Sequence, residues 1–290
     1  MILQSSLLDL FYKYQAASAF AIGGCLLLLF GVICKEASRL SMTVITMITL
    51  FVSGVYSALF NPNAEVSALP LTLTLMSCVV ALARIWGRLE NRIDAKEDRL
   101  DQLVLFSFAT CGAQLLAACE NTIELFLGLE LLSLSIYPLI SGGESVVRES
   151  EAAISYFLLG SISAAIGLFG IVLVYADTGS FDLGIFHDLS YPIGVVGVVL
   201  IFSTFLFKLG AAPFHGWVRG AFRSSDKYTA AFMGSVSKFA AFVGLCRLID
   251  SSSSAHDSSY GIVGGNPFDQ LDSMFSAYIW IIALLSLVVG

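Results

Sequence analysis

An ionised side chain inside a long apolar run is costly, and this sequence carries several. Residues 121–134 read NTIELFLGLELLSL, with Glu124 and Glu130 in otherwise apolar surroundings. Lys208 and Lys238 lie in two further apolar runs. A charge at mid-bilayer costs about 2.5–3.5 kcal/mol on insertion scales, so such residues face a bundle interior and pair with opposite charges. Glu130 falls at the midpoint of its run, and Lys208 is its expected partner. Each would hold the other ionised, while desolvation opposes that. Parting the two would let the lysine release a proton. The alternative is a static pair that only sets helix packing. Glu124 lies six residues earlier, about 600° of helix, and so about 120° away from Glu130. It need not share the site, and Glu120 sits at the helix boundary.

Other groups could move protons or simply pack. "LFKLGAAPFHGW" puts Gly210 and Pro213 just after Lys208. Proline removes a backbone donor and disfavours helix before it. A helix broken beside a buried charge frees backbone groups to line a polar cavity; a plain kink near the interface is the other reading. His215 follows the break and is a candidate relay or a hydrogen-bonded neighbour. Ser133, Ser135, Ser161, Ser163, Ser203, Thr204, Ser235 and Ser237 could wire a water chain or serve as small residues for close helix packing. The six cysteines form no CxxC or Cys/His cluster, so they read as small apolar packing residues. No P-loop, GxGxxG, HExxH or haem-ligand pattern is present.

The elements that must position these residues follow from composition. The chain is 57% hydrophobic and 13% charged, against about 25% charged in soluble domains. Residues 14–34, 40–64, 66–83, 102–119, 152–176, 189–207 and 273–290 carry no Asp, Glu, Lys or Arg. Each is near the roughly 17–25 residues of a bilayer-spanning helix. With the charge-bearing runs, this predicts an all-α polytopic membrane protein of about nine spans: 15–34, 40–60, 67–86, 102–118, 120–141, 152–176, a broken seventh at 192–212, 229–249, and the start of a ninth. If the spans alternate sides, eleven Lys and Arg in the connections fall on one face and two, Lys13 and Arg247, on the other. That bias marks the first face as cytoplasmic or matrix and puts the N-terminus outside. Segment 88–102, of mixed charge, reads as an inner loop. Segment 250–272, rich in Ser and Gly, reads as an outer one, and His187 and His256 as incidental loop histidines.

Three stretches carry a resemblance: "ENTIELFLGLELLSLSIYPLISG" (120–142), "SEAAISYFLLGSISAAIGLFGIVLVYADTGS" (150–180) and "FKLGAAPFHGWVRGAF" (207–222). With "GSVSKFAAFVGLCRL" (234–248), they closely resemble the antiporter-like subunits of respiratory complex I, NADH:ubiquinone oxidoreductase, in the subunit 2 branch. The motif match covers about residues 100–250. The resemblance implies an inverted-repeat fold of about fourteen helices. Three N-terminal helices and the charged inner loop would occupy 1–101, the first five-helix repeat 102–250, and an outer loop with the start of a ninth helix 251–290. It also implies that Glu130 and Lys208 are the ion pair of a proton half-channel and that Lys238 carries charge onward. His215 is the further proton-transfer candidate. The chain would serve a proton-translocating NADH:ubiquinone reductase with no cofactor of its own. FMN, iron–sulfur clusters and ubiquinone would sit elsewhere in the complex.

The sequence departs from the family where "W-T-P-D-x-Y-x-G-A-P" usually follows "PFH". Here "WVRGAFRSSDKYTAAF" brings in Arg219 and Arg223. The family's second repeat is not in this sequence, which suggests a separate chain carrying the second half of subunit 2. Other expected partners are the remaining membrane-arm subunits and lipid, with no nucleic acid. A split subunit suggests a mitochondrial inner membrane, with the N-terminus on the intermembrane-space side; a bacterial plasma membrane is the alternative. Two other functions remain open: a subunit of a multi-subunit cation/proton antiporter, and a structural membrane-arm subunit with a vestigial site.

Overall fold

The computed structural model describes residues 17, 21–26, 72–83, 100–141, 146–183, 189, 191–253 and 280–289. The span expected at 40–60, most of that at 15–34 and most of the charged loop at 88–102 lie outside the described residues. Among the described residues the chain is mostly helical and has no strand. Helices α1 (Thr72–Ala83) and α2 (Leu100–Ala118, its apolar part Gln102–Ala118) are short apolar helices. They are followed by α3 (Thr122–Ile140), α4 (Val146–Thr178), α5 (Pro192–Leu209), α6 (Gly216–Ser224) and α7 (Lys227–Phe232). A π-helical turn, Met233–Ser237, joins α7 to α8 (Lys238–Ser253), and α9 is Trp280–Val289. Among the described residues, four segments are long and apolar enough to cross a membrane: Thr122–Ile140, Ser150–Thr178, Pro192–Leu209 and Lys227–Leu248. They coincide with the predicted fifth to eighth spans.

Lipid gives helices no hydrophobic reason to associate, so close packing must hold them together. Glycines make that packing possible at two crossings. A Cβ on Gly112 of α2 would lie 2.5 Å from the Leu132 nitrogen of α3. A Cβ on Gly170 of α4 would lie 2.6 Å from the Gly197 carbonyl of α5, and one on Gly197 would lie 2.7 Å from the Gly170 carbonyl. Phe202, Phe205 and Phe232 are the largest fully buried side chains among the described residues.

The helix ends are tied. At the N-terminal end of α3, the Asn121 Oδ1 accepts from the Glu124 N–H at 2.8 Å, and Glu124 Oε2 accepts from the Glu120 N–H at 2.9 Å. This is close to the reciprocal arrangement of a capping box. The same end pairs with the α4–α5 connection, where the Thr122 N–H donates to the Phe181 carbonyl at 2.7 Å. The Asp177 carboxylate accepts from the Tyr191 N–H at 3.1 Å, just before Pro192 opens α5. Arg247 of α8 donates through Nε and Nη2 to the Ala117 carbonyl, at 3.1 and 2.8 Å, closing the last turn of α2.

Several boundaries differ from the sequence expectation; the sixth helix, expected from 152, begins at Val146. The broken seventh helix stops at Leu209 rather than 212. Gly210 takes the left-handed conformation at φ 72° and its N–H returns to the Leu206 and Phe207 carbonyls, which ends the helix before the proline acts. The eighth helix runs on to Ser253, so the first residues of the loop expected from 250 are helical; the rest of that loop, 254–272, lies outside the described residues.

Candidate functional site

Glu130, Ser133 and Tyr137 fall at i, i+3 and i+7 of α3 and therefore share one face. Lys208 lies in the last turn of α5, where the helix dipole favours a cation. It is 6% exposed. Its ammonium donates to Ser133 Oγ at 2.6 Å and to Tyr137 Oη at 3.4 Å. Glu130 Oε1 stands 3.8 Å from Nζ, close enough for an ion pair and too far for a hydrogen bond. That oxygen is buried with no hydrogen-bond partner among the described residues. Ser133 passes its own proton to the Leu129 carbonyl at 2.7 Å, so its lone pairs are free to face the lysine. The pair is close but not locked: it can tighten by about 1 Å before a charge-assisted hydrogen bond forms.

An aromatic wall encloses the lysine. Nζ lies 5.8 Å from the ring centres of both Tyr137 and Phe207, within cation–π range. Tyr137 meets Tyr156 of α4 edge to face at 4.7 Å. Tyr156 stacks on Trp217 of α6 at 4.3 Å. Trp217 Nε1 donates to the Phe207 carbonyl at 2.9 Å. Gly160 of α4 leaves the room that the Tyr137 hydroxyl occupies, since a Cβ there would overlap it.

The other expected residues are placed differently. Lys238 opens α8 directly after the π turn. It is half-buried, and its ammonium lies 5.7 Å from the centre of the Phe222 ring. His215 is exposed at the start of α6 and makes no hydrogen bond or ion pair with Glu130 or Lys208. Glu124 caps α3 and stands apart from the pair. Among the candidate hydroxyls, Ser135, Ser161, Ser203 and Ser235 donate back to carbonyls of their own helices. Thr204 donates to the Ser163 carbonyl at 3.0 Å. Ser163 Oγ is buried with no partner among the described residues. Tyr137 was missed by sequence reasoning, although its spacing from Glu130 and Ser133 carries the signal.

The site is a buried Glu–Lys pair between two membrane-spanning helices, one of which ends at Leu209 just past the lysine. Residues 119–263, half of the chain, match the family described as NADH:quinone oxidoreductase/Mrp antiporter, transmembrane. The chain belongs to this family. It is 32% identical over 247 residues to the NADH-quinone oxidoreductase subunit N of Gluconacetobacter diazotrophicus, covering 79% of this chain and 51% of that protein. Its fold is similar to a chain of respiratory complex I from Thermus thermophilus with bound aureothin. The TM-score is 0.63 at 26% identity, covering 80% of this chain and 52% of that one. A chain of the Mrp complex from Dietzia shares the fold, with a TM-score of 0.62 at 18% identity over 82% of this chain and 49% of that one. The chain spans about half the length of the curated relatives it matches. It is thus a membrane protein of the antiporter type whose curated relatives are bacterial complex I N subunits.

Proposed function

We propose that this chain is a proton-translocating membrane-arm subunit of an NADH:quinone oxidoreductase. The observation that carries this reading is the Glu130–Lys208 pair, enclosed by Ser133 and Tyr137. With the carboxylate near, the ammonium keeps its proton. If the carboxylate withdraws, the ammonium stands alone among aromatic rings and apolar side chains, and burial favours its neutral form. The proton leaves, and Lys238, the next basic residue that lies within a span, would receive it. His215, exposed at the start of α6, would exchange protons with the aqueous side.

The same reading assigns residues 1–101 to N-terminal helices and an inner loop, 102–250 to the first five-helix repeat of an inverted-repeat fold, and 251–290 to an outer loop and the start of a ninth helix. The second repeat, on the remainder of subunit 2 or on a separate chain, completes the path outward. Neighbouring membrane-arm subunits and lipid are the partners. FMN, iron–sulfur clusters and quinone belong to other subunits. The bacterial relatives favour a plasma membrane over a mitochondrial inner membrane, with the N-terminus on the outer side.

The test is to purify the assembly that contains this chain, identify its partners by mass spectrometry, and measure proton uptake by vesicles holding it. Iron–sulfur dehydrogenase partners, with uptake lost in Lys208→Ala, are the expected result. Antiporter partners with no redox subunits would favour a secondary cation/proton antiporter, the reading that the Mrp fold likeness supports. Undiminished uptake in Lys208→Ala would leave the pair a structural one.

A further inference from the structure

The short helix α6 joins two consecutive spans, Pro192–Leu209 and Lys227–Leu248, and therefore lies at one membrane face. Its residues divide sharply. Trp217 and Ala221 are buried, and Val218 and Phe222 are half-buried against the core. Gly216, Arg219, Gly220 and Arg223 are all exposed. Spaced i, i+3, i+4 and i+7, they form one stripe of the helix. Lys227 is exposed just beyond its end. Among the described residues neither guanidinium has an ion pair or hydrogen bond. The nearest carboxylate in sequence, Asp226, is already engaged by the N–H groups of Thr229 and Tyr228 at the start of α7.

The glycines sharpen the point. A Cβ added at Gly216 or Gly220 would meet nothing within 4 Å, and neither residue has a positive φ. Among the described residues no packing calls for glycine there, and glycine is a poor helix former. An exposed glycine between two forked cations leaves the helix backbone open to close approach by something outside the chain.

We infer that this face of α6 is a headgroup site for an anionic phospholipid of the adjoining leaflet, with Arg219 and Arg223 gripping the phosphate over Gly220. Arginine matches the oxygen geometry of phosphate with two parallel donors. The basic side of a membrane protein faces the leaflet whose anionic lipids attract such groups. Charge complementarity at a membrane face selects lipid as the occupant.

The experiment reconstitutes the intact complex in phosphatidylcholine vesicles that contain a minor fraction of photo-crosslinking phosphatidylglycerol. Labelling is mapped by peptide mass spectrometry. The expected result is labelling of the 216–227 segment that unlabelled phosphatidylglycerol competes away and phosphatidylcholine does not. Arg219→Gln/Arg223→Gln should lose roughly tenfold or more of that labelling. Gly220→Leu, which keeps every charge and meets open space, should lose it too, and it stands in if the double variant fails to assemble. Arg219→Lys/Arg223→Lys should retain a part. Equal labelling by a phosphatidylcholine probe, labelling untouched by these substitutions, or cross-linking of this face to an acidic segment of a neighbouring subunit would each overturn the inference. None of these readouts depends on proton transfer at Lys208.

Discussion

Lys208 and Lys238 carry the same charge in neighbouring spans and sit in opposite kinds of surroundings. Lys208 closes a regular helix, is almost wholly enclosed, and has an acidic partner, two hydroxyls and two rings around its ammonium. Lys238 opens a helix after a π turn, is half-buried, and faces one ring, Phe222, with no ion pair among the described residues. One extra residue in a turn rotates everything after it by about 100°. The π turn therefore decides which way Lys238 points. Under the proposed function the two lysines would take different tasks. A group that must be switched needs a specific partner that can approach and withdraw. A group that only hands charge on needs access more than a partner.

The hardest blow to the comparison is to remove one charge of the tight pair. Lys208→Met strands Glu130, and breaking a buried pair from one side costs about 3–5 kcal/mol. Thermal unfolding of the purified assembly should fall accordingly, and vesicle proton uptake should vanish. Glu130→Gln/Lys208→Met should recover most of the stability and none of the uptake. Recovery of uptake would show the pair to be structural. Gly160→Leu comes next. Its side chain would drive the Tyr137 hydroxyl off Lys208, and overpacking costs about 1–3 kcal/mol. Uptake should drop with it, while Gly216→Ala, at an open position, should leave both measures unchanged.

Smaller effects sharpen the contrast. Asn121→Ala removes the cap of α3 and should cost about 1 kcal/mol in stability. It should not alter proton uptake, because the cap lies apart from the pair; a parallel loss would tie Glu124 to the transfer path. Lys238→Met gives up a single cation–π contact of about 0.5–1 kcal/mol. The assembly should stay intact while uptake falls. A stability loss as large as that of Lys208→Met would erase the distinction between the two lysines.

Much of this architecture was legible in the residues. The predicted fifth to eighth spans, 120–141, 152–176, 192–212 and 229–249, lie within a few residues of the observed segments at most ends. The exceptions also have local causes. Gly210 adopts φ 72° and ends α5 before Pro213 is reached. Nothing in segment 250–253 compels the helix to stop. The choice between Glu124 and Glu130 was only half legible. Both are acids in one apolar run, and the 120° between them says that they differ without saying which is used. The cap formed with Asn121 explains the first, and contact with a different helix explains the second.

The sequence by itself determined that the chain enters the membrane, roughly where its helices begin and end, and which few charges must find partners inside. Transfer free energy adds residue by residue along a segment, so it can be read without coordinates. Only the tertiary structure decided that Tyr137 belongs beside Lys208, that Ser135, Ser161, Ser203 and Ser235 bond back to their own helices, that Ser286 of α9 accepts from the Ala212 N–H at the break, and that Arg219 and Arg223 share an open face with two glycines. Each of these depends on how helices distant in sequence rotate and approach, and that is set by interlocking side chains and glycine clearances at crossings such as Gly170–Gly197.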